Sequence, residues 1–327
     1  MKSTLRRLAL TAVGVSLLLG ASHTIAQTPP GQITLVVPFA AGGPTDVIAR
    51  GLAEGMRASL GQVVIVENIA GAGGTVGMLH VMRARADGQV IGIYHVGMAV
   101  VPALYRAPPF DPLKDFDPVG LVNEVPMLIV ARPDFPAASF TDAVAYLRAN
   151  REKINYAHAG LGSASHLCGL MLQSALQVSL TNVPYKAIGA AMVDLMAGRV
   201  DITCDQTVSA GPHVTSGKVK AYGVTTARSV EGFSMLRPLA TQGVVDFDVS
   251  NWHALYVPKG TPQPTVERLS SALRAALADK AYSARMADMG VINVSAEQAS
   301  PEALRSKLRR EIDRWAPLIR QGGAYID

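Results

Sequence analysis

Two rhythms of apolar and polar residues alternate along this chain. Short apolar runs, rich in β-branched residues, read as buried strands. They are "ITLVVPF" from Ile33, "VVIVENI" from Val63, "VIGIYHV" from Val90, "MLIVARP" from Met127 and "INYAHAG" from Ile154. Further along come "LTNVPYK" from Leu180, "VDITCDQ" from Val200, "VKAYGVTT" from Val219 and "HALYVPKG" from His253. Between these runs the apolar positions recur at helical spacing. Ile48, Leu52, Met56 and Leu60 fall on one face of a helix. A later helix opens at "TPQPTVERL", with Thr261 as its N-cap and Pro262 in its first turn. The last opens at "SPEALRSKL", capped by Ser300 and Pro301, with Leu304, Leu308, Ile312 and Trp315 as the buried stripe. Pro317 is expected to end or kink it. Strands alternating with helices predict an α/β fold built on mixed, mainly parallel sheets flanked by helices.

A strand, a Gly-rich turn and a helix follow one another from Ile33 to Leu60 and again from Ile154 to Leu176. The echo predicts two similar domains facing each other. No Pro-, Gly- or Ser-rich linker separates them, so the chain is expected to cross between lobes more than once. The crossings fall near "NEVPMLIVARP" and "DFDVSNWHALYVP".

The N-terminus changes the reading of charge. Lys2, Arg6 and Arg7 precede an apolar run from Leu8 to Leu19, and Thr24 and Ala26 fit a small-x-small cleavage site. Residues 1–26 therefore read as a secretory signal peptide, with a run too short to span a bilayer comfortably. Its removal takes three basic and no acidic residues, lowering the formal net charge from +5 to +2. A near-neutral exported chain has no electrostatic case for nucleic acid. Export to the periplasm, or beyond the cell, also permits disulfides. Cys168 and Cys204 are the only cysteines; they read either as two small buried apolar residues or as one bridge.

Candidate chemistry sits in the Gly-rich turns. In "PFAAGGPTD" the glycines permit close backbone approach, and a helix starting at Pro44 leaves its first amides unpaired at the positive end of its dipole. Such a turn binds an anion without a cationic side chain. Thr45 adds a hydroxyl, and Asp46 is either part of the site or a first-turn cap. "NIAGAGGTVG" fails the dinucleotide fingerprint, because the third glycine should stand where Val76 is. No Gly-Lys-Ser/Thr exists to make a phosphate-binding loop. "GLGSASHL" sets Ser163 three residues before His166, yet Ser165 replaces the second glycine of a nucleophile elbow and no orienting acid is evident. The turn reads better as a hydroxyl-and-amide clamp than as a hydrolase. The seven histidines are scattered without metal-ligand spacing, so neither metal nor cofactor is expected.

Read in order, "VVPFAAGGPTDVIAR", "VENIAGAGGTVG", "FDPLKDFDPVGLV", "GLGSASHL", "VPYKAIGAAMVDLMAGRVDITCDQ" and "VPKGTPQP" resemble a known family. The chain is similar to the periplasmic solute-binding proteins of tripartite tricarboxylate transporters, the Bug proteins. The resemblance covers essentially the whole mature chain and implies a two-lobed Venus-flytrap fold. Lobe 1 would comprise residues 28–127 and 250–327, and lobe 2 residues 128–249. It further implies a small carboxylate held by backbone amides of residues 39–45 and 71–75, here Phe39, Ala41, Gly42, Gly43, Thr45, Gly73 and Gly74. The ligand's other end would meet Ser163, Ser165, His166 and Asp205. The implied partners are two integral membrane subunits, one small and one large, and the receptor would be a monomer.

This chain departs from the family pattern where Phe39 replaces a frequent Trp and where "CDQTVSAG" closes a strand. Asp205 could select a ligand amine or hydroxyl, or merely cap a turn. Phe39 with Met192 or Trp252 could line a slot for a flat ring, and Lys186 could face the cleft; core packing and a solvated surface are the alternatives. With few cations and neutral loops, a dicarboxylate or aromatic carboxylate resembling terephthalate is expected over citrate. The rival readings are a periplasmic sensor and a hydrolase using Ser163 or Ser165 with His166.

Overall fold

Nine of the ten strands in the fold correspond to the apolar runs. The computed structural model describes residues 31–245, 247–322 and 326; the expected signal peptide lies outside the described residues. The strands are β1 (Ile33–Val37), β2 (Val64–Asn68), β3 (Val90–His95), β4 (Phe116–Ala131) and β5 (Asn155–His158). They continue with β6 (Thr181–Pro184), β7 (Ile202–Gln206), β8 (Lys220–Val224), β9 (Ser250–Pro258) and β10 (Ile292–Asn293). The helices are α1 (Pro44–Leu60), α2 (Thr75–Arg83), α3 (Gly97–Leu104), α4 (Phe140–Asn150) and α5 (Ala164–Leu176). After them come α6 (Ile188–Met196), α7 (Thr207–Thr215), α8 (Gln263–Ala278), α9 (Lys280–Asp288) and α10 (Pro301–Gly322).

The sheet runs β2-β1-β3-β9-β4-β7-β5-β6, with β8 and β10 also pairing β4. Parallel pairs lie toward the two ends: β1 with β2 and β3, and β5 with β6 and β7. The pairs made by β4 and β9 are antiparallel, so the sheet is mixed. β4 explains the mixture. Its first part, to Pro126, pairs with β9, while Met127 onward pairs with β7 and β8. The first part went unrecognised in the sequence because Pro118, Gly120 and Pro126 interrupt it. Register shifts at Pro118/Gly120 and Leu121/Asn123 absorb those breakers as irregularities in the ladder.

Successive residues of a strand point to opposite faces, so each part of the sheet carries two cores. Leu35 packs with Ile48, Leu52, Met56 and Leu273 on the α1–α8 side. Val36 packs with Met78, Val100, Leu308 and Trp315 beneath α2, α3 and α10. In the other part, Ile129 faces α4 and α5 through Leu147 and Leu172, and Leu128 faces α6 and α7 through Leu195 and Ala210. Truncating a fully buried leucine such as Leu52 would cost about 2–5 kcal/mol.

Local rules set the helix ends. Pro44 occupies the first turn of α1, and Gly61 closes it in the left-handed conformation. Ser300 Oγ accepts the Ala303 amide at 3.3 Å and caps α10 as expected. One expectation fails, and so does half of another. Thr261 does not cap α8: Pro262 stands at the cap, and the Thr261 hydroxyl donates to the Pro258 carbonyl at 2.8 Å. Pro317 does not end α10, which continues to Gly322. There the surrounding turns hold the helix, with Trp315 and Ile319 buried on either side. Cys168 and Cys204 form a disulfide, fully buried, that ties α5 to β7.

Candidate functional site

β1 delivers the chain to Pro38, and residues 39–43 turn it into α1. Gly42 takes a φ of +79°, the left-handed region that glycine tolerates best. Its amide donates to Asp46 Oδ2 at 2.9 Å. That carboxylate also accepts Arg50 Nε at 2.9 Å and, on Oδ1, Asn68 Nδ2 at 2.9 Å. Asn68 Nδ2 reaches the Phe39 carbonyl as well, which fastens the loop to the end of β2. Burial works to raise the Asp46 pKa, but the bonds from Arg50, Gly42 and Asn68 outweigh it and hold the carboxyl below its ordinary value. Asp46 is thus the anchor of the loop, and the Gly42 amide is spent on it. The amides of Ala41 and Thr45 have no partner within the described residues.

The start of α5 is built similarly. Ser163 caps it, accepting the His166 amide at 3.2 Å. The Ser163 hydroxyl donates to the Gly160 carbonyl at 2.7 Å. Ser163 Oγ and Ser165 Oγ lie 3.1 Å apart, so the proton between them must come from Ser165. Ser165 Oγ in turn accepts the Ala159 amide at 2.9 Å. Both hydroxyl protons are therefore committed inside the protein, and the expected hydroxyl clamp reduces to amides. His166 Nδ1 accepts the Gly162 amide at 3.2 Å, and burial lowers the imidazole pKa to about 3. A neutral His166 organises the turn; no bond joins its ring to either serine, and the relay a hydrolase needs is not built.

A cavity of about 200 Å³ lies between these turns. Eight of the eleven residues singled out in the sequence line it: Phe39, Ala41, Gly42, Gly43, Thr45, Ser163, Ser165 and Asp205. His166 stands behind the wall. Gly73 and Gly74 border a wider groove at the mouth, about 860 Å³, where loop 71–74 meets loop 160–162. Phe39 and Lys186 line both spaces. Phe39 stacks on His95, with ring centroids 4.7 Å apart. Met192 and Trp252 are core residues instead, in the layers under α6 and α10.

The starts of four helices converge on this cavity: residues 43–45 of α1, 163–165 of α5, 187–189 of α6, and Gln206 and Ser209 of α7. Each helix start carries roughly half a positive charge and amides without helical partners. Those of Ala41, Thr45, Ala164, Ser165, Ile188 and Gly189 find no acceptor among the described residues. Sequence reasoning missed the α6 contribution, because "YKAIGA" shows no cap or paired glycine to mark an anion turn. It also missed His95, whose Nδ1 accepts the Gly97 amide at 2.8 Å; burial drops its pKa to about 3 and leaves it neutral. Behind α1, Thr45 Oγ1 lies 3.1 Å from His253 Nε2, and His253 Nδ1 lies 2.9 Å from Asn123 Oδ1. Burial keeps His253 neutral too. Neither imidazole brings a positive charge to the wall.

Asp205 is the one acid in the lining. It is 2% exposed, and burial pushes its carboxyl up to about 7 against bonds from Ser209 Oγ and the Gln206 amide. No group of three or more His, Cys, Asp or Glu among the described residues could hold a metal ion.

Comparison with known proteins places this geometry. The profile of the tripartite tricarboxylate transporter family receptors matches residues 48–323. The solved structure of the periplasmic binding protein BugD is 45% identical with a TM-score of 0.87, covering 91% of this chain and 99% of that one. MatC from Rhodopseudomonas palustris with bound malate is 37% identical, TM-score 0.85, covering 89% and 99%. A second R. palustris protein, Rpa4515, with adipate, is 30% identical, TM-score 0.84, covering 90% and 98%.

Proposed function

The chain belongs to the tripartite tricarboxylate transporter receptor family, whose members are solute receptors and not enzymes, and from that premise we propose that it captures a small carboxylate in the periplasm. The observation that carries the proposal is the convergence of four helix starts on a cavity of about 200 Å³, lined by amides that have no acceptor of their own. Hydrogen bonds to a charged group contribute about 1.5–3 kcal/mol each. Four or five of them offset much of the roughly 4–15 kcal/mol cost of association. An organic acid is held without arginine.

The ligand class is a dicarboxylate or aromatic carboxylate in preference to citrate, because Phe39, a single lysine and otherwise neutral loops line the cavity. The malate and adipate of the two R. palustris relatives support the class. In this reading residues 28–127 and 250–327 form one lobe and residues 128–249 the other, with the strands β4 and β9 as the crossings. The acid is then handed to two integral membrane subunits, one small and one large. The test is a thermal-shift screen of organic acids on the chain beginning at Gln27. At least one small carboxylate should raise Tm by several degrees. A flat response to every carboxylate would refute the proposal.

A further inference from the structure

A carboxylate receptor with an acid in its cavity wall poses a problem of charge and of protons. The helix starts supply donors for a ligand carboxylate. Asp205 supplies the reverse, and its surroundings do not neutralise it. Ser209 Oγ donates to Oδ2 at 2.6 Å and the Gln206 amide to Oδ1 at 2.7 Å. An ionised carboxylate has about four acceptor positions, so about two stay open. No Lys or Arg contributes to the electrostatics of Asp205. Beside it, Gln206 Oε1 is buried without a partner. The Ser163 and Ser165 hydroxyls do not serve these acceptors, since their protons go to Gly160 O and Ser163 Oγ.

Capping does not account for this acid. A cap accepts the amides of the second or third helical residue, whereas Asp205 takes its own neighbour's amide and a side-chain hydroxyl. Burying an ionised carboxylate costs several kcal/mol, and two bonds leave about half of its acceptor positions unmet. The open acceptors point to something the ligand brings.

We propose that Asp205 decides which carboxylates this cavity accepts, requiring a hydrogen-bond donor, an ammonium or hydroxyl, beside the ligand's carboxylate and disfavouring plain dicarboxylates of equal length. The inference rests on the carboxylate reading above and narrows it. A plain dicarboxylate sets its second carboxylate, an acceptor, near the Asp205 oxygens, and acceptor faces acceptor. A site built to pair a donor leaves its own polar group unpaired when the donor is missing. An amino acid or hydroxy acid fills the open positions, and the amino acid also carries less net charge into the site.

Titration calorimetry on the chain beginning at Gln27 at pH 7.5 tests this with two matched series: succinate, malate and aspartate, then glutarate, 2-hydroxyglutarate and glutamate. In at least one series a donor-bearing acid should bind tenfold or more tighter than the plain acid; the two donor arms tell ammonium from hydroxyl. Asp205→Asn should lower that ratio at least tenfold while the plain acid binds as well as before or better. The ratio of two ligands on one preparation is insensitive to partial unfolding. Equal binding within both series, an unchanged ratio in Asp205→Asn, or adipate or terephthalate binding tighter than all six acids overturns the inference and leaves the carboxylate reading standing. Failure of every carboxylate overturns that reading and this inference with it.

Discussion

Replacing Gly73 by alanine tests whether the mouth of the cavity must close to hold a ligand. Gly73 sits at φ +65°, and a Cβ there would lie well inside van der Waals distance of the Leu161 carbonyl oxygen across the groove. Two separate costs follow. The left-handed conformation costs an alanine roughly 1–2 kcal/mol wherever the loop stands. That share lowers Tm by a few degrees. The overlap with Leu161 is different, because it exists only while loop 71–74 and loop 160–162 touch. Both partners are backbone, so relief requires the loops to part. Overpacking of this kind costs about 1–3 kcal/mol. Converted to affinity, that is roughly 5- to 150-fold. Gly61 is the control: it holds φ +63° with nothing within 4 Å of its would-be Cβ. Gly61→Ala should lose stability to a similar degree and keep full affinity. The assay is calorimetric titration of both variants with the tightest acid of the two series, beside scanning calorimetry. If Gly73→Ala binds that acid as well as Gly61→Ala does, contact between the two loops is not part of the liganded state and the reasoning fails.

Three further outcomes can be checked. Cys168→Ser with Cys204→Ser removes a link across 36 residues, worth about 3–4 kcal/mol in the chain-entropy picture, and should lower Tm on the order of 10 °C by scanning calorimetry. Because the bridge joins α5 to the strand bearing Asp205, ligand affinity should fall as well. Asp205 is held up at about 7 against an ordinary 3.8, so the folded chain keeps its proton where the unfolded chain has lost it. Its contribution to stability should decline as pH rises from about 4 to 7, by up to about 4 kcal/mol at roughly 1.4 kcal/mol per pH unit, and Asp205→Asn should remove that contribution in urea titrations. His95 and His166, held at about 3 in the folded chain against an ordinary 6.5, take up protons on unfolding and so pull the other way over this interval; the difference between wild type and Asp205→Asn isolates the aspartate. Asp46 shows the opposite sign: its depressed pKa gives stability present above 3.8 and lost on acidification. Asp46→Ala should cost about 1–3 kcal/mol at pH 7 and weaken acid binding by freeing the loop from Asn68 and Gly42.

The strands were legible because burial on both faces of a sheet demands continuous apolar runs, and nine such runs stand in the sequence. The first part of β4 was not, since its place in the sheet depends on bulges around Pro118 and Gly120 that only the pairing with β9 makes affordable. The tight strand-to-helix turn after β1 was legible from Gly42, Gly43 and Pro44. What could not be read was which amides remain free, because Asp46 reaches back four residues to take one of them. The serines of "GLGSASHL" misled in the same way: hydroxyls read as ligand donors are consumed by Gly160 and by each other. Conversely, the start of α6 joins the site with no marker of its own. Local sequence names a group's chemistry, and the fold decides whether it is already engaged.

Charge balance sets the last test. Four helix starts at roughly half a charge each sum to about +2 around the cavity. An ionised Asp205 takes up one, leaving the site matched to a ligand of net −1, such as an amino dicarboxylate or a hydroxy monocarboxylate. A plain dicarboxylate, at −2, would need one more cation, and Lys186 is the cation in the lining. Lys186 is exposed, and charge pairs at such positions contribute about 0–1 kcal/mol. Lys186→Met should therefore change the affinity for a donor-bearing acid less than fivefold and keep its slope against salt shallow. If Lys186→Met instead abolishes binding of every acid, the lysine supplies the missing charge, the helix starts do not suffice, and the balance that assigns Asp205 a donor-bearing ligand is wrong.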